Sequence, residues 1–88
     1  MPARLPATLV ACLLALPAAA QQLPPADGMP LSRLVAGLEA REDLGAITEI
    51  EWDDDGYWEV DVLSLPEGRK VELRLDPFTG AELGRRGH

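Results

Sequence analysis

The stretch from Ile47 to Ser64, ITEIEWDDDGYWEVDVLS, most constrains the fold, because apolar and acidic residues alternate on both sides of a short acidic turn. Alternation with a period of two residues is typical of a strand that buries one face. Two such strands predict a β-hairpin whose three-residue loop is Asp54-Asp55-Gly56, with Gly56 in a left-handed conformation.

The loop length decides which residues face each other across this hairpin. A tight Asp55-Gly56 turn would place Trp52 opposite Glu59 and mix the two faces, so we exclude it. The three-residue loop instead places Trp52 opposite Trp58 on the apolar face. It also predicts these pairs: Ile50 with Val60, Thr48 with Val62, Glu51 with Glu59 and Glu49 with Asp61. Like charges that face each other cost about 0.2 to 1 kcal/mol per pair, so the apolar face has to hold the sheet together.

Residues 29–43 predict an amphipathic helix, because apolar side chains recur there at helical spacing. Ser32 is the expected N-cap, and Gly45 is the expected stop signal. The predicted apolar stripe consists of Leu31, Leu34, Val35 and Leu38.

The chain after the hairpin predicts further strands. Apolar and polar residues alternate again in residues 69–75, which indicates a third strand. Two loop lengths before it would keep the same residues on the apolar face, so its register is left open. Residues 76–80 predict a turn and residues 81–83 a short last strand. The fold class is therefore α+β, with one N-terminal helix packed on a three- or four-stranded antiparallel sheet. We expect the sheet to contribute these core residues: Ile50, Trp52, Trp58, Val60, Val62, Val71, Leu73 and Leu75.

The first residues predict export. Residues 1–20 combine a short start, an apolar run and a small-residue ending, which is the layout of a signal peptide cleaved after Ala20. The apolar run is too short to favour a membrane-spanning helix. Cys12 lies in a motif resembling a lipoprotein cleavage site, but the residues after it stay apolar, so we prefer cleavage after Ala20. We expect residues 21–28 to be a flexible linker, 29–83 the folded domain and 84–88 a flexible tail of a periplasmic or secreted protein.

Charge narrows the classes of partner. The chain has 15 acidic and 8 basic residues, and loss of Arg4 with the leader takes the net charge from −7 to −8. This balance argues against binding to nucleic acid or to anionic membrane surfaces, and it favours a basic protein surface or a cation. We expect no stable membrane insertion after the signal peptide is cleaved. The only histidine is the C-terminal His88, so no base is expected beside a serine or threonine nucleophile. We expect a protein that is not an enzyme and has no cofactor.

Two acidic groups are candidate binding residues. The first is the set that faces away from the apolar side of the hairpin, Glu49, Glu51, Glu59 and Asp61, which could contact a basic partner or only keep the domain soluble. The second is the hairpin tip, Asp53, Asp54 and Asp55, a weak candidate for a cation. An EF-hand loop is excluded at the tip, because Val62 stands where its final glutamate would be and strands replace the flanking helices.

With these elements in order, the chain resembles the PepSY domain family from about Leu31 to Leu83. The resemblance rests on the leucine-rich helix, on the phrase ITEIE at residues 47–51, and on the run VELRLDPFTGAE at residues 71–82. That run is similar to the family's V-x-V-D-x-x-T-G-E ending, with Ala81 as an extra residue.

The resemblance implies a small exported binding module without catalytic residues. PepSY domains occur in propeptides of thermolysin-type secreted metalloproteases and as small stand-alone exported proteins in bacteria. We therefore expect this chain to inhibit or modulate a peptidase in trans, or to bind another envelope protein. The alternative is a cation-responsive sensor or accessory domain that uses the acidic tip.

Overall fold

The computed structural model describes residues 23–87, which form one helix and a four-stranded antiparallel sheet. Helix α1 spans Leu31–Glu39, and strands β1 to β4 span Leu44–Asp53, Tyr57–Ser64, Arg69–Leu75 and Glu82–Gly87. The strands lie side by side in chain order, so β1 and β4 are the two edges of the sheet. The predicted α+β fold is confirmed. The predicted signal peptide with Cys12, and the C-terminal His88, lie outside the described residues.

The turn between β1 and β2 has the predicted three-residue loop. Gly56 adopts φ 102°, and its amide donates a hydrogen bond to the carbonyl oxygen of Asp53 at 2.9 Å. The amide of Asp55 donates to the carboxylate of Asp53 at 2.8 Å. Short acidic side chains stabilise turns in this way. The acidic tip is therefore also the structural reason why the chain reverses here.

The register of the hairpin is confirmed near the turn and wrong at its open end. The pairs Trp52↔Trp58, Ile50↔Val60, Glu51↔Glu59 and Glu49↔Asp61 all form as predicted. Val62, however, pairs with Ile47 and not with Thr48, because the register shifts between Ile47 and Glu49. Ile47 and Ile50 are three positions apart, so only such a shift puts both on the apolar side. Thr48 is exposed, and its hydroxyl donates to the carbonyl oxygen of Asp61 at 3.3 Å.

Small aliphatic side chains fill the centre of the core. The buried apolar residues are Leu34, Leu38, Leu44, Val60, Val62, Val71, Leu73 and Leu75. Leu44 was not among the predicted core residues. Leu31 was expected in the core but is 38% exposed. Both tryptophans were expected there too but are only partly buried, and their rings meet edge to face with centres 5.2 Å apart.

The helix is shorter than the predicted span of 29–43. Pro30 occupies the N-cap position without a side-chain hydrogen bond, and Ser32 is already helical, so the predicted cap was wrong. Proline suits this end of a helix because its fixed φ is compatible with the start of the helix, and because an N–H group at this position would have no hydrogen-bond partner within the helix. At the other end, the helix ends at Glu39 and not at residue 43, because Leu44 is already buried at the start of β1. Gly45, the predicted stop signal, lies within β1.

The last strand is longer than predicted. We expected a strand at residues 81–83 followed by a loose tail, but β4 continues to Gly87 and pairs along β3, with Leu73 opposite Arg85 and Glu72 opposite Arg86. The prediction of a tail was therefore wrong for residues 84–87. Residues 23–28 form no helix or strand. The next residue, Met29, donates its amide to the carbonyl oxygen of Pro77 at 2.8 Å.

Replacing Leu73 should test the core. Leu73 is fully buried in the central strand β3, whereas Leu83 in β4 is 58% exposed. We expect Leu73→Ala to lower the free energy of unfolding by about 2 to 5 kcal/mol, because it leaves a cavity. The matched change Leu83→Ala should cost less than about 1 kcal/mol. Urea denaturation followed by tryptophan fluorescence measures both, and equal losses would contradict this description of the core.

Candidate functional site: the acidic sheet face

The sheet face turned away from the helix is rich in carboxylates. Because side chains alternate along a strand, the residues between the buried positions of β1, β2 and β3 lie on this outer face. Its acidic members are Glu49, Glu51, Asp53, Glu59, Asp61 and Glu72, which we call the acidic face. All four predicted contact residues, Glu49, Glu51, Glu59 and Asp61, belong to it. The structure brings them together in two directly opposed pairs.

The second hairpin adds one more like-charge pair. β2 and β3 pair so that Glu59 lies opposite Arg74, whereas Asp61 lies opposite Glu72. Asp61 therefore has an acidic partner on both sides, since Glu49 faces it from β1. Like charges placed this way destabilise a sheet.

The basic residues of this face neutralise only part of it. Lys70 lies 3.8 Å from the carboxylate of Asp61, and Arg86 lies 3.2 Å from that of Glu72. Arg74 does not form an ion pair with the facing Glu59, and its guanidinium carbon lies 5.6 Å from the centre of the Tyr57 ring. Within residues 23–87, four members of the acidic face take part in no ion pair: Glu49, Glu51, Asp53 and Glu59.

Glu59 lies among carboxylates that disfavour its ionised form. Partial burial raises its pKa above the usual value, and a hydrogen bond with the carboxyl group of Glu72 and the charges of Glu72, Asp53 and Glu51 raise it further. A raised pKa means that the ionised form costs more in the folded protein than in the unfolded chain. The centre of the acidic face therefore opposes its own full ionisation.

A separate set of charges at the β4 edge is fully paired. Arg41, which follows the helix, binds Asp43 at 2.8 Å and Glu82 at 3.0 Å. Arg85 binds Glu82 at 3.1 Å and lies 3.8 Å from Asp43. A hydrogen bond from Arg41 lowers the pKa of Asp43, and hydrogen bonds from Arg85 and Arg41 lower the pKa of Glu82. This cluster connects the end of the helix to β4 on the helix side of the sheet, since Arg85 lies opposite the buried Leu73.

The hairpin tip does not form a metal site in the structure. Among residues 23–87, no three acidic, histidine or cysteine side chains are grouped closely enough to hold a metal ion. Of the three tip residues, Asp53 uses its carboxylate to accept the amide of Asp55. The geometry gives no support to a cation sensor based on Asp53, Asp54 and Asp55.

Sequence reasoning missed some members of the site. Glu72 was not a predicted contact residue, because the register between β2 and β3 was left open. Arg86 was assigned to a loose tail, so its ion pair with Glu72 could not be anticipated. The signal available in the sequence was the alternation of Lys70, Glu72 and Arg74, which placed all three on the outer face without saying which acidic residue each would meet.

Comparison with known proteins agrees with the resemblance seen in the sequence. The family model described as peptidase propeptide and YPEB domain, one of the PepSY models, matches residues 4–86, nearly the whole chain. The chain belongs to the PepSY family. Searches of curated proteins and of solved structures found no match. In the described part of this PepSY chain, no helix is long and apolar enough to cross a membrane.

Removing the charge of Glu59 should stabilise this PepSY domain at neutral pH. The pKa of Glu59 is raised, so its ionised form lowers stability at every pH above the folded-state pKa, and this loss disappears below the ordinary value of 4.5. We expect Glu59→Gln to raise the free energy of unfolding at pH 7 by a few tenths to about 1 kcal/mol. The gain should shrink as the pH falls below about 4.5.

Urea denaturation at pH 7 and pH 4 measures this effect. Glu39→Gln is the matched control, because Glu39 is exposed at the end of the helix and away from the acidic face. The interpretation fails if Glu59→Gln is destabilising at pH 7, or if its gain is the same at both pH values.

Proposed function

We propose that this protein is an exported, non-enzymatic PepSY module that binds a basic surface of another protein through its acidic face. A peptidase is the first partner to test, because the family model carries the peptidase-propeptide description. The contact residues are the four predicted from the sequence, Glu49, Glu51, Glu59 and Asp61, with Glu72 added by the structure. The single observation that carries the proposal is the group of opposed carboxylates that the domain itself leaves largely unneutralised.

The energetics of the face support a partner of opposite charge. Each like-charge pair costs the isolated sheet about 0.2 to 1 kcal/mol. Basic side chains of a partner, placed over Glu51 and Glu59, would convert this repulsion into attraction. Complementary charge also speeds the encounter of two proteins and disfavours partners of the wrong sign. The face therefore gains most from a protein surface rich in lysine and arginine.

The hydroxyl groups of the described region support a non-enzymatic role. Thr48 and Ser64 donate to backbone carbonyl oxygens, at 3.3 Å and 3.1 Å, and Thr79 accepts the amide of Ala81. These contacts brace a strand pairing or a turn. The hydroxyl groups of Thr48 and Ser64 are not hydrogen-bonded to a side chain that could act as a base, as a nucleophile would require. The hydroxyl of Thr79 also hydrogen-bonds the carboxylate of Asp76, but the backbone amides of Thr79 and Phe78 lower the pKa of that carboxyl group, which makes it a poor base.

Export is part of the proposal and rests on the signal-peptide pattern of residues 1–20. The protein would then meet peptidases in the periplasm or outside the cell. Cleavage after Ala20 and lipidation at Cys12 yield chains of different mass, so intact mass spectrometry of the exported form distinguishes them.

Inhibition of a secreted thermolysin-type metallopeptidase tests the proposed function. We expect the protein to slow hydrolysis of a protein substrate, and the inhibition to weaken as salt rises from about 0.05 to 0.5 M, because salt screens exposed charges. The variant E49Q/E51Q/E59Q/D61N should bind roughly tenfold or more weakly, a loss of about 1.4 kcal/mol. Isothermal titration calorimetry with the peptidase in solution measures the affinity directly.

The matched control is D27N/E39Q/E42Q/E67Q, which removes the same charge from exposed positions away from the acidic face. It should bind within about twofold of the unaltered protein. Absence of binding to the peptidase would overturn the choice of partner. Equal losses in the two variants would show that net charge, and not the acidic face, governs the interaction.

A further inference from the structure

In the described residues, the carboxylates on the outer face of the edge strand β1 have no basic partner on the other strands of the sheet. β1 and β2 together carry most of the acidic face, whereas Lys70, Arg74 and Arg86 lie on β3 and β4. Within the described part of the chain, both ion pairs of the outer face, Lys70 with Asp61 and Arg86 with Glu72, involve β3 or β4, and neither reaches Glu49, Glu51 or Asp53 of β1. The immediate neighbour of β1 is β2, which presents Asp61 and Glu59 to it. Among residues 23–87 the sheet supplies no basic complement to the carboxylates of β1, so a partner has to supply it, and the free edge of β1 is one side from which it can approach.

The regular part of β1 is well defined. The register shift lies between Ile47 and Glu49, and from Glu49 to Asp53 every residue pairs in sequence with β2. No strand lies on the other side of this run in the described residues. The backbone groups on that side of an edge strand are free to pair with an added strand. Glu49 and Glu51 are exposed, so the outer face of this part of β1 is open to solvent.

The side chains of this run specify the pattern of an added strand. Glu49, Glu51 and Asp53 lie on the outer face, about 7 Å apart in succession, and Ile50 and Trp52 lie between them on the helix face. A strand beside β1 would place its alternate residues next to these two rows. Lysine or arginine at every second position would meet the carboxylates. Apolar residues between them would cover the exposed parts of Ile50 and Trp52, which are only partly buried.

We propose that β1 accepts an extended segment of a protein partner that alternates basic and apolar residues, pairing with Glu49–Asp53 as a fifth strand. This inference rests on the proposed function and specifies it, since it replaces a general basic surface with one backbone conformation and one spacing. Main-chain hydrogen bonds provide affinity in such strand addition, and the alternate side chains provide selectivity. The hairpin tip fixes one end of the pairing and the register shift at Thr48 fixes the other.

Two synthetic peptides of equal composition test the spacing. One is nine residues long and alternates lysine with valine, and the other has the same residues in a lysine block followed by a valine block. We expect the full chain to bind the alternating peptide roughly tenfold more tightly, at 0.15 M salt. Backbone NMR should show slowed amide exchange confined to residues 49–53. Equal affinity for the two peptides would overturn the inference, and so would protection spread over the whole sheet.

Backbone methylation tests strand pairing without any change to the protein. Alternate amides of a strand point to opposite sides, so only one set can face β1. The alternating peptide N-methylated at its valines, and the same peptide N-methylated at its lysines, should differ: one loses binding and the other keeps it. If both keep it or both lose it, edge pairing is wrong.

Protein variants separate this inference from the proposed function. E49Q/E51Q should weaken binding of the alternating peptide about fivefold, whereas E39Q/E42Q, with the same change of charge, should leave it within about twofold. If the peptidase binds and E49Q/E51Q/E59Q/D61N weakens that binding as expected, while the peptides show no preference, the edge inference fails and the proposed function stands. If the peptides discriminate as expected but the peptidase does not bind, the edge inference stands and the choice of partner fails.

Discussion

The pairing between β1 and β2 is the constraint on which the rest of this domain depends. Trp52 against Trp58 and Ile50 against Val60 fix one register, because a slip by one residue would turn the apolar side chains to solvent. The same register leaves no choice on the outer face, where Glu51 must meet Glu59 and Glu49 must meet Asp61. The acidic face is therefore a direct consequence of how the core is packed. Its residues could be changed without altering the fold, but their positions could not.

Charge is divided unevenly across the sheet. The cluster of Arg41, Asp43, Glu82 and Arg85 stabilises the β4 side, where every carboxylate in the cluster has an arginine within 3.1 Å. The β1 side has no such compensation in the described residues. In a domain this small, with a core of a few leucines and valines, the net stability is modest. The repulsion between the like-charge pairs on the β1 side is therefore large relative to the net stability of the domain.

The sequence predicted the elements well and their ends poorly, for physical reasons that can be traced to particular residues. Alternation and the Asp54-Asp55-Gly56 loop were enough to predict β1, β2 and their register near the turn, since these depend on local spacing. The shift at Thr48 depends on Ile47 reaching the core, which the three-residue spacing to Ile50 suggested but the alternation rule concealed. The extension of β4 to Gly87 depends on pairing with β3 and on ion pairs with Asp43 and Glu72, which are distant in sequence. Local patterns do not contain that information.

Within the candidate site the same division holds. The four carboxylates predicted from the hairpin were brought together, while Glu72 required the register between β2 and β3, which parity alone could not choose. Ion pairs were harder still, because Arg74 could have turned toward Glu59 and instead lies over the ring of Tyr57. A guanidinium gains from an aromatic face as well as from a carboxylate, so facing positions do not determine the partner.

Protonation connects stability to the proposed binding in opposite senses. In the free domain the pKa of Glu59 is raised by burial and by its acidic neighbours, so acid relieves the repulsion at this carboxylate. A lysine or arginine brought next to Glu59 by a partner favours the ionised form, which lowers the same pKa in the complex. At a pH near the pKa of Glu59 in the free domain, binding then releases a proton from Glu59, so acid opposes binding while it removes the cost of this one carboxylate to the unbound domain. A face that costs the isolated protein most at neutral pH is thus the face that a basic partner binds best under the same conditions.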